Sequence, residues 1–201
     1  MITPIDKWEH IFLDTSVIFD LFANPEKLNN NLPVKERVLN TQKLFDYLNE
    51  VSNQTGKKYM FYVSSVTIAE MTRKDGADLL NAMYSFFNSS GLTFVDFSKN
   101  IACKISQNVK EYIADYSINQ FISYIQKNTI EPGDVIISRE WIIDDLKIVA
   151  TAKSIGKIDV VLTADKKSFK PIAEKVNLPV LETNNLPKDL FDEISANVSI
   201  F

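Results

Sequence analysis

Short apolar runs alternate with amphipathic stretches along this chain. Residues 11–14 (IFLD), 59–65 (YMFYVSS), 92–97 (LTFVDF), 159–163 (DVVLT) and 179–182 (PVLE) have strand length and are mostly apolar. Several are near-continuous in apolar side chains, the pattern of strands covered on both faces. Between them, residues 34–52 set Val34, Val38, Leu44, Phe45 and Leu48 at spacings close to helical. Residues 66–74 and 77–88 predict one or two helices, and residues 99–128 a long helical region. Residues 138–155 predict a helix ending at Gly156, a residue suited to a helix C-cap. Strands alternating with helices predict a parallel sheet with crossovers, an α/β layer architecture. The Asn- and Pro-rich stretch 24–33 and the Pro-Gly break in 128–134 read as loops, and neither marks a domain boundary. There is no internal repeat and no low-complexity tract.

Composition narrows the setting. A chain of 201 residues is long enough for one large domain with its own core, or one domain with an insertion. Apolar residues at 45% and charged residues at 24% exclude wholesale disorder. A net charge of −4 means that global charge does not attract nucleic acid; a local basic patch or a metal would have to. The sole cysteine, Cys103, excludes an internal disulfide framework and fits a reducing compartment. No stretch has the length and apolarity of a signal peptide or a membrane span, so the reading is a cytoplasmic protein without membrane attachment.

Carboxylates fall where such a sheet binds ligands. Parallel α/β sheets place their sites at the carboxyl ends of the strands. Asp14 ends the first strand and is followed by Thr15 and Ser16; Asp165 stands two residues beyond the strand ending at Thr163. Either acid could instead be a helix N-cap. Glu70 lies in the second turn of a helix after the second strand, where a surface glutamate is the ordinary expectation. Asp145 has Trp141, Ile142, Ile148 and Val149 as its neighbours at helical spacing, so it points with the apolar stripe. Asp144 shares its face with Glu140 and Lys147 and reads as a solvated acid. An unpaired buried carboxylate is costly, and a metal ion is one partner that makes it tolerable; a salt bridge or a cap is another. Converging acids suit Mg²⁺ or Mn²⁺, hard ions that retain water and bind phosphates. Thr15, Ser16 and Thr163 would support the carboxylates or orient water. Arg73, Lys74, Lys166, Lys167 and Lys170 follow the acids in sequence and are candidate phosphate contacts, with Lys147, Lys153 and Lys157 near the Asp145 helix. The bland reading of these lysines is a solvated polar face.

Four motifs in this order, IFLDTS, VTIAEM, DLKIVATA and VVLTADKKSF, carry a resemblance. The chain resembles the PIN domain, a metal-dependent nuclease family that includes VapC-type toxins. The resemblance runs from Ile11 to about Leu181. It implies a single domain over 1–201, a three-layer α/β/α fold around a central parallel sheet of four or five strands, with extra helical segments near 24–58 and 98–137. It implies an endoribonuclease using Mg²⁺ or Mn²⁺. Asp14 and Asp145 would be the principal ligands, and Glu70 and Asp165 would ligate directly or through water. It also implies a homodimer and, for a toxin, an antitoxin protein that blocks the site. Aromatics on the extra segment 99–128 (Tyr112, Tyr116, Phe121, Tyr124) read as core or dimer packing. No histidine is needed, and His10 precedes the first strand.

Other readings are weaker. A haloacid dehalogenase-type phosphatase needs Asp-x-Asp where this chain has Asp14-Thr15-Ser16. A metal-dependent adhesion site needs Asp-x-Ser-x-Ser, and residue 18 is Ile. With five glycines and no Gly-rich loop, nucleotide-binding folds are disfavoured. A non-catalytic PIN-like module binding RNA or protein, and a structure-specific DNA nuclease, are the remaining alternatives.

Overall fold

The computed structural model describes residues 4–28, 30–74, 76–86, 91–112, 117–128 and 137–186. Five short strands form one sheet: β1 (His10–Leu13), β2 (Met60–Ser64), β3 (Gly91–Val95), β4 (Val160–Thr163) and β5 (Val180–Glu182). Their order is β3-β2-β1-β4-β5, and every pairing is parallel. The expected α/β class with a central parallel sheet is therefore present. The strands the sequence predicts match β1 to β5 to within a few residues at each end. His10 opens β1 instead of preceding it, and its ring nitrogen lies 2.9 Å from the Tyr62 hydroxyl on β2.

Both faces of the sheet are covered, which explains the near-continuous apolar runs. On one face, Ile11, Leu13, Phe61, Val63, Val160 and Leu162 pack with residues of α1 (Thr15–Phe22), α2 (Leu32–Thr55), α3 (Ser65–Lys74) and α4 (Gly76–Phe86). Leu44, Phe45 and Leu48 on α2 belong to this core, as their spacing predicts. On the other face, Phe12, Val161 and Val180 pack with α5 (Lys99–Tyr112), α6 (Ile118–Asn128), α7 (Arg139–Ile155) and α8 (Phe169–Lys175). The helical region expected over 99–128 thus contributes two described helices. Phe121 is fully buried and Tyr124 packs against the same core, whereas Tyr116 and the Tyr112 side chain lie outside the described residues, as does most of the 128–134 break. Among the described residues no helix is long and apolar enough to cross a membrane.

Local chemistry sets where the helices begin and end. Ser138 caps α7 by accepting from the Trp141 N–H at 3.3 Å. Gly156 follows α7 at φ +85°, a backbone that side chains with a Cβ rarely adopt. The C-terminal end of α1 is held by Gln42, whose amide donates to the carbonyls of Asp20, Leu21 and Ala23 at 2.9–3.3 Å. At the opposite end of the sheet, the Asp159 carboxylate accepts from the Glu9 and His10 N–H groups, each at 2.8 Å, and so joins the entrances of β4 and β1.

The strand order fixes the place of the site. The chain leaves β1 toward β2 on one side, and enters β4 on the other side. The crevice beyond the carboxyl ends of β1 and β4 is thus where the connections diverge, the position at which open α/β sheets bind ligands.

Candidate metal-binding site

Asp14 stands in that crevice. The parallel ladder runs one step past β1, with the Asp14 N–H donating to the Leu162 carbonyl at 3.0 Å, so the acid is held by the sheet itself. It is also the N-cap of α1, its Oδ1 accepting from the Thr15 N–H at 2.7 Å. The capping and site roles proposed from sequence are therefore compatible in one side chain. Its other oxygen, Oδ2, accepts from the Thr163 hydroxyl at 2.8 Å and from the Ser16 hydroxyl. Ser16 in turn accepts from the Ala164 N–H at 2.8 Å, tying the start of α1 to the end of β4.

The remaining acids come from three other elements. Asp14, Glu70, Asp145 and Asp165 line one cavity of about 190 Å³, together with Thr15, Ser16, Phe19, Trp141 and Ser168. Glu70, on α3, accepts a hydrogen bond from the Thr15 hydroxyl, and the Thr67 hydroxyl lies 3.0 Å from that of Thr15. Asp165 accepts at Oδ1 from the Lys167 and Ser168 N–H groups, at 2.7 and 3.0 Å. Its Oδ2 takes the Ser168 hydroxyl at 2.6 Å and the Phe169 N–H at 3.4 Å. Asp165 is thus a turn and helix cap with its lone pairs engaged, the alternative that the sequence left open, and it lines the cavity as well. The helix it caps starts at Phe169, later than the Lys166 that the sequence suggests.

Asp145 is different. It is 8% exposed, and its Oδ2 is buried with no hydrogen-bond partner. Burial pushes its carboxyl well above the ordinary range, the charges of Asp165, Asp14 and Glu70 push it further, and the Ser168 hydroxyl opposes the rise. Asp14 is raised to about 7, mainly by burial, with Asp165 and Glu70 adding to the rise and the Ser16 and Thr163 hydroxyls opposing it. Two buried acids facing like charges demand either protons or a cation. Among the described residues, no three histidine, cysteine, aspartate or glutamate side chains are gathered closely enough to hold a metal ion. The donor set still fits Mg²⁺ or Mn²⁺: such ions take one or two carboxylates and fill their other positions with water. The orphaned Asp145 oxygen beside a raised Asp14 is the observation that makes the fit.

Two sequence expectations on α7 are corrected. Asp144 is not solvated: it is 7% exposed and bridges Arg73 and Lys147, each at 2.7 Å. Neutralisation by two cations is what allows it to be buried, and it is held below the usual carboxylate range because those contacts outweigh the burial that opposes them. Trp141 does not join the buried stripe of Ile142, Ile148 and Val149; it is 55% exposed at the wall of the acidic cavity. It lies in the first turn of α7, where the helix emerges from the core.

The candidate cations are placed unequally. Arg73 is bound to Asp144, Lys170 to Glu182 at 2.7 Å, and Lys153 to the Val176 carbonyl at 2.7 Å. Lys157 is 3.5 Å from Glu9, at the far end of the sheet. Lys166 and Lys167 lie in the turn directly after Asp165; the Lys74 side chain is outside the described residues. Sequence reasoning missed Thr67, Ser168, Phe19 and Trp141 as cavity or support residues. Ser168 carried a signal, since Asp-x-x-Ser is a capping spacing, and Thr67 lies one turn before Glu70.

No family model matches the sequence. Among solved structures, VapBC2 from Rickettsia felis bound to a DNA fragment from their promoter is similar at 18% identity, with a TM-score of 0.46, covering 86% of this chain and 97% of that chain. A likeness this distant decides neither family nor activity.

Proposed function

We propose that this protein is a metal-dependent nuclease that hydrolyses phosphodiester bonds in RNA. One observation carries the reading: Asp145, buried and with one oxygen lacking a hydrogen-bond partner, lines the same cavity as a buried Asp14 whose carboxyl is raised to about 7. Asp14 and Asp145 would hold a Mg²⁺ or Mn²⁺ ion, with Glu70 and Asp165 reaching it through water. A bound ion of this kind supplies a polarised phosphoryl oxygen and a water acidified enough to attack it.

The chain's own groups supply position. The Ser16 and Thr163 hydroxyls fix the Asp14 carboxylate, and the Thr15 hydroxyl fixes Glu70. Asp165 is held in place at the cavity wall by its four donors. Lys166 and Lys167, next to Asp165, are the proposed phosphate contacts; Lys74, whose side chain is not described, stays a candidate from sequence. Arg73 and Lys170 are further candidates from sequence; each also bonds a carboxylate of the protein. An antitoxin protein that covers the cavity, and a homodimer, belong to the same proposal and rest on the motif resemblance alone.

A second reading has one observation in its favour. Asp165 is fully occupied as a cap, which a non-catalytic binding module would also show. The test is cleavage of a labelled mixed RNA pool with Mn²⁺ or Mg²⁺, comparing wild type, Asp14→Asn and Asp145→Asn. The nuclease reading expects cleavage that EDTA stops and that falls at least about a hundredfold in each variant. Cleavage that survives both substitutions would remove the proposed site. RNA binding without cleavage, at any metal concentration, would favour the binding module. A matched DNA pool separates RNA from DNA specificity.

A further inference from the structure

Trp141 is a large apolar side chain in an acidic place. Among the described residues, the exposed large hydrophobics are Leu32, Leu39, Met60, Tyr84, Ile118 and Trp141; of these, Trp141 alone lines the cavity that holds the four acids. It lies one helical turn before Asp145 on α7, so the two side chains are neighbours on one helix face. Phe19, from α1, lines the same cavity and is backed by the core. The wall therefore pairs carboxylates with aromatic surface. Scattered exposed apolar residues need no explanation, but an indole beside a phosphate-handling centre has a specific use. Its face is a platform for a nucleobase, and base–aromatic stacking tolerates any sequence because every base has a π-face.

We propose that Trp141 stacks on a nucleobase adjoining the phosphate held at the acidic cavity. The inference rests on the nuclease reading above. A base in a duplex has both faces covered by its neighbours; only an unpaired, splayed strand can place one against a side chain.

The chain offers its own reporter. Its other tryptophan, Trp8, is 1% exposed, so a change in emission on binding would come from Trp141. The experiment titrates the full chain with a phosphorothioate single-stranded RNA decamer of mixed sequence, with Ca²⁺ present to offset the acids. Tryptophan emission and the anisotropy of a dye-labelled decamer are read together. The expected result is saturable quenching, affinity about tenfold weaker in Trp141→Ala, a smaller loss in Trp141→Phe, and no quenching by the same sequence as a duplex. Thermal melts of both variants at the wild-type temperature would show that the fold is kept. Decamer binding with unchanged emission and unchanged affinity in Trp141→Ala would overturn the inference, leaving the nuclease reading intact if the RNA pool is cleaved. Quenching by a duplex as tightly bound as the single strand would overturn base stacking as its cause. Quenching by a protein partner, with no response to the decamer, would make Trp141 a protein contact. Failure of both decamer binding and RNA cleavage would remove the two proposals together.

Discussion

Asp14 concentrates several demands in one side chain. It caps α1, extends the β1–β4 ladder, accepts two hydroxyl protons and faces three other acids. A carboxyl whose folded pKa is raised binds protons more readily when folded than when unfolded. Its contribution to stability is therefore present below the unfolded value near 3.8 and is lost as pH rises through about 7. Asp14→Asn removes that penalty. In metal-free buffer, the variant should match wild type near pH 4 and exceed it in stability above pH 7, by up to about 4 kcal/mol. Denaturant melts across this pH range check it. Equal stability at every pH would mean that Asp14 titrates normally.

At the scale of elements, α1 and α2 are joined by an ion pair as well as by their shared apolar core. Asp20 is 2% exposed and bonds Arg37 at 2.7 Å, and one Asp20 oxygen has no partner. Burial raises the Asp20 carboxyl despite the arginine. Truncating Arg37 leaves a buried charge with no counterpart, which costs more than the pair itself contributes. Arg37→Ala should lower stability by about 3 kcal/mol, the low end for buried pairs because Arg37 is partly exposed. The double variant Asp20→Asn with Arg37→Ala should recover part of that loss, and chemical denaturation of the three proteins measures it. If the double variant is less stable than Arg37→Ala, the pair is not what holds the two helices.

For the whole molecule, the proposed metal site would link ligand to fold through the four acids. They come from four elements on both sides of the sheet, so a cation that satisfies them joins parts of the chain that are remote in sequence. Anything that binds only the folded state adds stability, about 2.7 kcal/mol at a hundred times its dissociation constant. Mn²⁺ should therefore raise the melting temperature of wild type, with the logarithm of its concentration above the dissociation constant, and leave Asp14→Asn and Asp145→Asn nearly unmoved. An equal rise in all three proteins would place the ion elsewhere.

Much of this organisation was legible in the chain. Apolar runs without alternation, separated by helical spacing, determine strands buried on both faces, because a side chain on either face must then meet a helix. The position of Asp14 and Asp165 just past strand ends, and of Glu70 and Asp145 on helices, is also local information. What sequence could not decide is non-local. The order β3-β2-β1-β4-β5 depends on pairings between distant segments, and it alone brings residues 14, 70, 145 and 165 to one cavity. Helical spacing gave Asp144 and Trp141 the wrong surroundings for the same reason. Arg73, from another helix, neutralises Asp144 and lets it be buried, and the first turn of α7 leaves the core before Trp141 can enter it. A carboxylate's partners and a ring's exposure are set by what the rest of the fold lays beside them.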